Sequence, residues 1–181
     1  MIRVGVIRGG ISSERGVSMN SGASVLEVLQ KEFSNRYITL DIIISEHGVW
    51  NIDNKEIHTE DLINLIDIAF VALHGVYGED GQIQSLLENL NIPYTGSGPL
   101  ASRIAIDKWT TKEYARKLGI TVSKDILFEQ YDNNLDVSYE VFVKDTVVRI
   151  VSKLAPPWVV KPITSGSSVG VSIVDKATGL Y

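Results

Sequence analysis

Two short, almost wholly apolar runs that each stop at glycine constrain this chain more than anything else in it. Residues 2–7 (Ile-Arg-Val-Gly-Val-Ile) lead into Gly9-Gly10, and residues 67–73 (Asp-Ile-Ala-Phe-Val-Ala-Leu) lead into His74-Gly75. Runs without polar alternation are strands covered on both faces, the signature of a parallel sheet flanked by helices. Between them, Ser18 reads as an N-cap, and Val25, Leu26, Val28 and Leu29 supply the apolar face of a helix ending near Glu32. Residues 37–44 form a further strand, and the polar stretch 45–60 holds a small hairpin around residues 51–54. Residues 83–90 form a helix closed by Asn91-Ile92-Pro93. This β-α-β-β-α order predicts an open, mostly parallel α/β sheet, with ligand-facing loops at the carboxyl ends of its strands.

Gly96-Ser97-Gly98-Pro99 punctuates the chain and divides it into an expected first domain, 1–98, and a second, 99–181. The second reads as a long helix over 101–118 with Gly119 as its C′ residue, then a strand over 124–129, a turn over 131–136 and a helix over 137–154. After Pro156-Pro157 come a strand from Trp158 to a closing Lys161, a glycine- and hydroxyl-rich turn, and a second apolar strand reaching Val174. Residues 175–181 read as the opening turns of another helix. With 181 residues the chain can bury roughly 70% of its unfolded surface without disulfides or metal staples. It has no cysteine, which excludes thiolate metal sites and cysteine nucleophiles. A net charge of −5 argues against a nucleic-acid partner. No stretch reaches the roughly eighteen apolar residues of a membrane span, and the expectation is a soluble cytoplasmic protein without a membrane partner.

Three segments carry the chemistry. In Gly9-Gly-Ile-Ser-Ser-Glu14-Arg15-Gly16-Val-Ser18, glycines at a strand end run into a helix start with unpaired amides, and Glu14 offers a carboxylate for an ammonium group. Equally, Glu14 and Arg15 can simply cap and solvate that helix. In Leu73-His74-Gly75-Val-Tyr-Gly78-Glu79-Asp80-Gly81, His74 stands where an open α/β sheet presents functional groups, while Glu79 and Asp80 suit the start of the next helix. The third is Lys161-Pro-Ile-Thr-Ser-Gly166-Ser167-Ser168-Val-Gly170. Its amides can form an anion-binding concavity, and its hydroxyls and lysine add donors. The same residues also make an ordinary turn, since the spacing is not that of a P-loop. Lys108, one residue after Asp107 and one turn before Lys112, is by itself an ordinary helix lysine.

Taken together, these segments resemble the amino-terminal half of the bacterial D-alanine–D-alanine ligases, members of the ATP-grasp superfamily. The matching stretches are Gly9 to Glu14-Arg15 with Val17-Ser18 and Ser21-Gly22, then Ala72-Leu-His74-Gly75 with Gly78-Glu-Asp-Gly81 and Gln84. They continue with Ile92-Pro-Tyr-Thr-Gly-Ser-Gly98, Asp107-Lys108 with Lys112, and Val160-Lys161-Pro162 with Gly166 to Ser172. The resemblance implies a pre-ATP-grasp domain followed by the first part of an ATP-grasp domain. It implies ATP-dependent joining of two D-alanines through a D-alanyl phosphate, for peptidoglycan precursor synthesis. It assigns the first D-alanine's ammonium to Glu14, the neighbourhood of the reacting carboxylate to His74 and Ser167, and the ATP phosphates to Lys108, Lys161, Gly166, Ser167, Ser168 and Gly170. A homodimer is implied on the same footing. Gly16 and Arg8 depart from the family, which usually has a glutamate and an apolar residue at these positions.

In that family the adenine hinge, a D-alanine-covering loop and the acidic residues that hold Mg²⁺ lie beyond the region resembled, and no metal ligand is assigned in this chain. A few charge-assisted hydrogen bonds at roughly 1.5–3 kcal/mol each stand against an association cost of about 4–15 kcal/mol. These 181 residues alone are therefore expected to hold ATP poorly and not to turn over. Two other functions fit the same residues: ligation of D-alanine to D-lactate, and a non-catalytic module that binds a ligand or partner.

Overall fold

A computed structural model describes residues 1–181 except Asn133, Leu135 and Tyr181. The chain packs as two units, Met1–Lys108 with Thr164–Val169, and Trp109–Ile163 with Gly170–Tyr181. Residues 96–99 therefore lie inside the first unit.

The first unit is built on a five-stranded sheet in the order β4-β3-β2-β1-β5. β1 (Ile2–Gly9) pairs in parallel with β2 (Tyr37–Ile44) on one side and β5 (Ile68–Val71) on the other. β3 (Trp50–Ile52) and β4 (Lys55–Ile57) extend the β2 side as an antiparallel hairpin. Asp53 and Asn54, both with left-handed φ (51° and 61°), turn that hairpin, as tight two-residue turns require. α1 (Arg15–Glu32) crosses from β1 to β2, and a short α2 (Leu62–Leu65) precedes β5. α3 (Gln82–Asn89) and α4 (Pro99–Ile106) follow.

The side-chain alternation of β1 explains the two-sided core. Val4 and Val6 pack with Leu26 of α1 and Ala72, whereas Ile7 packs on the opposite face with Ile42, Ile44, Leu62, Ile83 and Leu87. Gly5 is required on that second face, because a Cβ there would lie 2.7–2.9 Å from the Ile42 and Ile66 side chains. Arg8 takes the α1 face. Its guanidinium donates two hydrogen bonds to Asp41 (2.7 and 2.6 Å) and one to the Met19 carbonyl (3.0 Å). The charge that replaces an apolar side chain thus clamps β1, β2 and α1 together.

Ser18 corrects the sequence reading. The helix begins three residues earlier, and Ser18 lies within α1, fully buried. The expected long helix over 101–118 is also two helices, α4 and α5 (Lys108–Lys117), parted at Asp107, where ψ turns to 105°.

In the second unit, α6 (Tyr139–Lys153) starts at Ser138, whose hydroxyl accepts from the Val141 N–H. It packs Ile150 against Trp158 and Val174 of an antiparallel pair, β6 (Trp158–Val160) and β7 (Ser172–Val174). Residues 124–129 form no strand. Lys112 reaches the Ser123 hydroxyl and Asp125 instead, and Arg116 bonds Asp125, so α5 holds this stretch through side chains. The expected turn over 131–136 includes residues outside those described, and the expected terminal helix is a 3₁₀ turn, Ala177–Leu180. Among the described residues no helix is long and apolar enough to cross a membrane.

Candidate functional site

The carboxyl ends of β1 and β5 meet over the start of α1, and Ser18 fixes the junction. The Gly9 N–H donates to its Oγ (2.8 Å), which in turn donates to the Ala72 carbonyl (2.8 Å). Gly9 and Gly10 take φ values of 89° and 96°, which only glycine adopts readily, and so swing the chain away from the sheet. Arg15 then bonds the Ile44 carbonyl at the end of β2. It tethers the loop to the sheet and leaves its neighbour Glu14 without that partner.

Glu14 is 3% exposed. Its own amide donates to the Ser12 hydroxyl (2.9 Å), and its Oε1 accepts from the Gly166 N–H (3.1 Å). Its Oε2 is buried with no hydrogen-bond partner. A buried carboxylate oxygen lacking a donor is costly, and the group that best repairs this is a cation with N–H donors. Gly75 makes the approach possible: its φ is 70°, and a Cβ there would lie 2.5 Å from Glu14 Oε1. Gly16 is not part of this support, since a Cβ at that position would meet nothing within 4 Å.

The second loop brings His74 beside the first. Its Nε2 lies 3.0 Å from the Ser21 hydroxyl on α1, and its Nδ1 lies 3.4 Å from Glu79 Oε1. Glu79 Oε2 accepts from the Gly75 N–H (3.0 Å). Asp80 performs the turn-capping role, accepting from the Tyr77 and Gln82 amides (2.8 and 3.1 Å). Buried Gln84 braces the loop by donating to the Gly78 carbonyl (2.8 Å). Tyr77 holds a positive φ of 73°, unusual for a bulky residue, and burial raises its phenol pKa.

The segment Thr164–Val169 packs with this first unit. Ser167 and Ser168 are exposed and have left-handed φ values of 44° and 60°, and the Val169 N–H closes a turn onto the Gly166 carbonyl (2.9 Å). Lys108, at the end of the unit, donates to the Ser165 carbonyl. The geometry therefore brings together Glu14, His74, Lys108 and the Gly166–Ser168 turn. Lys161 and Gly170 belong to the second unit, where Lys161 is exposed just after β6 and Gly170 has a φ of 71°. The turn and Lys108 offer amide, hydroxyl and ammonium donors of the kind a polyphosphate takes. Among the described residues no group of three or more His, Asp or Glu side chains could hold a metal ion. Sequence reasoning overlooked Glu79 as a partner of His74 and Ser12 as a brace for Glu14. A carboxylate five residues after His74 in a glycine-rich loop was the available signal.

The arrangement defines a class: an α/β unit with a buried carboxylate, a histidine and a donor-rich turn gathered at the carboxyl edge of a parallel sheet. Along almost its whole length the chain is similar to about half the length of D-alanine–D-alanine ligases. A family profile described as "D-ala D-ala ligase N-terminus" matches residues 52–97. The D-alanine–D-alanine ligase of Buchnera aphidicola is 38% identical over 175 residues, 96% of this chain and 51% of the relative. That of Clostridium beijerinckii is 40% identical over 176 residues, 96% of this chain and 50% of the relative. The ATP-complexed crystal structure of the Bacillus anthracis ligase superposes with a TM-score of 0.68 at 36% identity, covering 99% of this chain and 52% of that one. The chain spans about half the length of these relatives.

Proposed function

We propose that this chain forms the substrate-side portion of an ATP-dependent ligase that joins two D-alanines. The observation that carries the proposal is the buried Glu14 carboxylate, one oxygen held by the Gly166 amide and the other unpaired. In this reading the ammonium of the first D-alanine takes the unpaired oxygen. The D-alanine carboxylate oxygen attacks the γ-phosphorus of ATP as the bond to ADP breaks. The second D-alanine's amine then attacks the acyl carbon, the C–O bond to phosphate breaks with its electron pair, and the amine gives up a proton. Phosphoryl transfer rests on positioning and charge neutralisation, which are the roles of Lys108, Lys161 and the Gly166, Ser167, Ser168 and Gly170 backbone. His74 and Ser167 border the reacting carboxylate. Closure of the turn keeps water from the acyl phosphate. The product would enter cell-wall precursor synthesis in the cytoplasm, and a homodimer belongs to the same proposal.

The test joins this chain to the carboxyl-terminal half of the Bacillus anthracis ligase and follows ADP release. D-Alanine-dependent release is expected, and Glu14→Gln is expected to weaken first-site D-alanine by about 10- to 100-fold, the loss of a charge-assisted bond. A second arm offers D-lactate as the acceptor and separates the two ligation specificities. A folded, ATP-binding chimera with no D-alanine-dependent ADP release refutes the proposal.

A further inference from the structure

Glu79 sits between two parts of the site. Its Oε1 is 3.4 Å from His74 Nδ1 and its Oε2 accepts from the Gly75 N–H. A Cβ built on Gly166 would lie 3.2 Å from Glu79 Oε2 and 3.1 Å from Glu14 Oε2, so both carboxylates border the same small space. On the far side of the imidazole, Nε2 meets the Ser21 hydroxyl at 3.0 Å. Each imidazole nitrogen therefore has one polar neighbour, and the two neighbours are chemically unequal. A carboxylate only accepts hydrogen bonds, whereas a hydroxyl can donate or accept. Which ring nitrogen carries the proton is set by the partner of the other.

We infer that Glu79 is a positioning residue that holds the neutral His74 ring in its Nδ1–H tautomer. The Nδ1 proton faces the carboxylate, and Nε2 is left as the basic nitrogen, accepting from the Ser21 hydroxyl. With the proton at Nε2 instead, a lone pair would face a carboxylate oxygen. Glu79 acts through His74 without itself touching the reacting atoms. Its catalytic consequence rests on the ligase reading above, but its tautomeric one does not.

Glu79→Gln tests the inference while preserving the loop. The glutamine carbonyl can still accept from the Gly75 N–H, but its NH₂ group then turns a donor toward Nδ1 and requires a lone pair there. Imidazole ¹⁵N chemical shifts of the 181-residue chain, recorded at alkaline pH where the ring is neutral, are expected to show the Nδ1–H tautomer in the wild type and Nε2–H in Glu79→Gln. Ser21→Ala is expected to keep the Nδ1–H form. An Nε2–H ring in the wild type, or an unchanged tautomer in Glu79→Gln, overturns the inference. In the chimera, Glu79→Gln is expected to lower kcat by about 10- to 100-fold, the scale reported for partners that orient a histidine, with the KM for ATP unchanged. An unchanged kcat overturns the catalytic consequence. A chimera without D-alanine-dependent ADP release refutes the ligase reading and leaves the tautomer result standing.

Discussion

Ser18 offers the sharpest test of how this site is built, because one hydroxyl satisfies two buried backbone groups. It accepts from the Gly9 N–H and donates to the Ala72 carbonyl, both at 2.8 Å, and the residue is fully buried. Ser18→Ala keeps the helix, since alanine favours it, but leaves one donor and one acceptor without partners in the core. Each stranded group costs about 1–3 kcal/mol. Partial relaxation brings the total to roughly 2–4 kcal/mol, less a few tenths from helix propensity. For a domain of this size each kcal/mol lowers Tm by about 4–8 °C, so the first unit is expected to melt at least about 6 °C lower. The two units need separate reporters. Trp50 lies in the core of the first, and Trp109 and Trp158 lie in the second. Urea titration read from the three indole N–H resonances therefore assigns the loss to one unit, and Ser24→Ala, an exposed site on the same helix, serves as the control. A Ser18→Ala chain whose Trp50 transition stays within about 0.5 kcal/mol of wild type would show that the hydroxyl is not what joins α1 to the ends of β1 and β5.

Two further outcomes follow from charge and packing. Asp67 is held at a pKa of about 2, below its usual 3.8, chiefly by the hydrogen bond from the Arg3 guanidinium and also by the Arg3 N–H. A lowered folded-state pKa stabilises above the ordinary carboxylate range and is lost on acidification, so Asp67→Asn is expected to be less stable than wild type at pH 6, with the difference vanishing between about pH 4 and pH 2 in paired thermal melts. A methyl at Gly22 would lie 2.5 Å from the Arg8 Cδ and 2.7 Å from its Cβ, so Gly22→Ala is expected to destabilise the wild type and to destabilise Arg8→Ala less, since that change removes the Cδ contact and leaves the Cβ one; additive effects in that cycle, read from thermal melts, would refute the contact.

The sequence made legible whatever depended on local periodicity. The runs at residues 2–7 and 67–73 announced buried strands because polar residues do not alternate along them, Arg3 and Asp67 standing only near their starts, and β2 and the Asp53-Asn54 hairpin were legible on the same footing. What escaped depended on partners distant in sequence. Ser18 looked like an N-cap because a serine stands before an apolar stretch, but its hydroxyl is committed 54 residues away, at Ala72. Asp107 breaks a continuous helical pattern with neither glycine nor proline to mark it. Residues 124–129 have the composition of a strand, and a strand also requires a neighbour to pair with. Within the site, Glu14 and His74 were readable as chemistry at strand ends, whereas the link from His74 to Glu79 appears only once the loop doubles back.

The same distinction explains how Glu14 can be buried at all. No local feature of residues 9–18 supplies a donor to its side chain, and its neighbour Arg15 is engaged with Ile44. The donor arrives from Gly166, 152 residues along the chain, and glycine eases the approach, because a Cβ there would lie a tight 3.1–3.3 Å from both Glu14 oxygens and 3.2 Å from Glu79. Gly166 therefore lets the turn's backbone reach a carboxylate, in addition to the anion-binding part proposed for it. Glu14 and the Gly166–Ser168 turn are thus joined by one hydrogen bond, and a change that moves the turn changes the environment of Glu14 with it. Under the proposed ligase function, an amino acid's carboxylate has to meet a terminal phosphate with the two binding elements in fixed register, and the bond from Gly166 to Glu14 is a direct physical means of setting it.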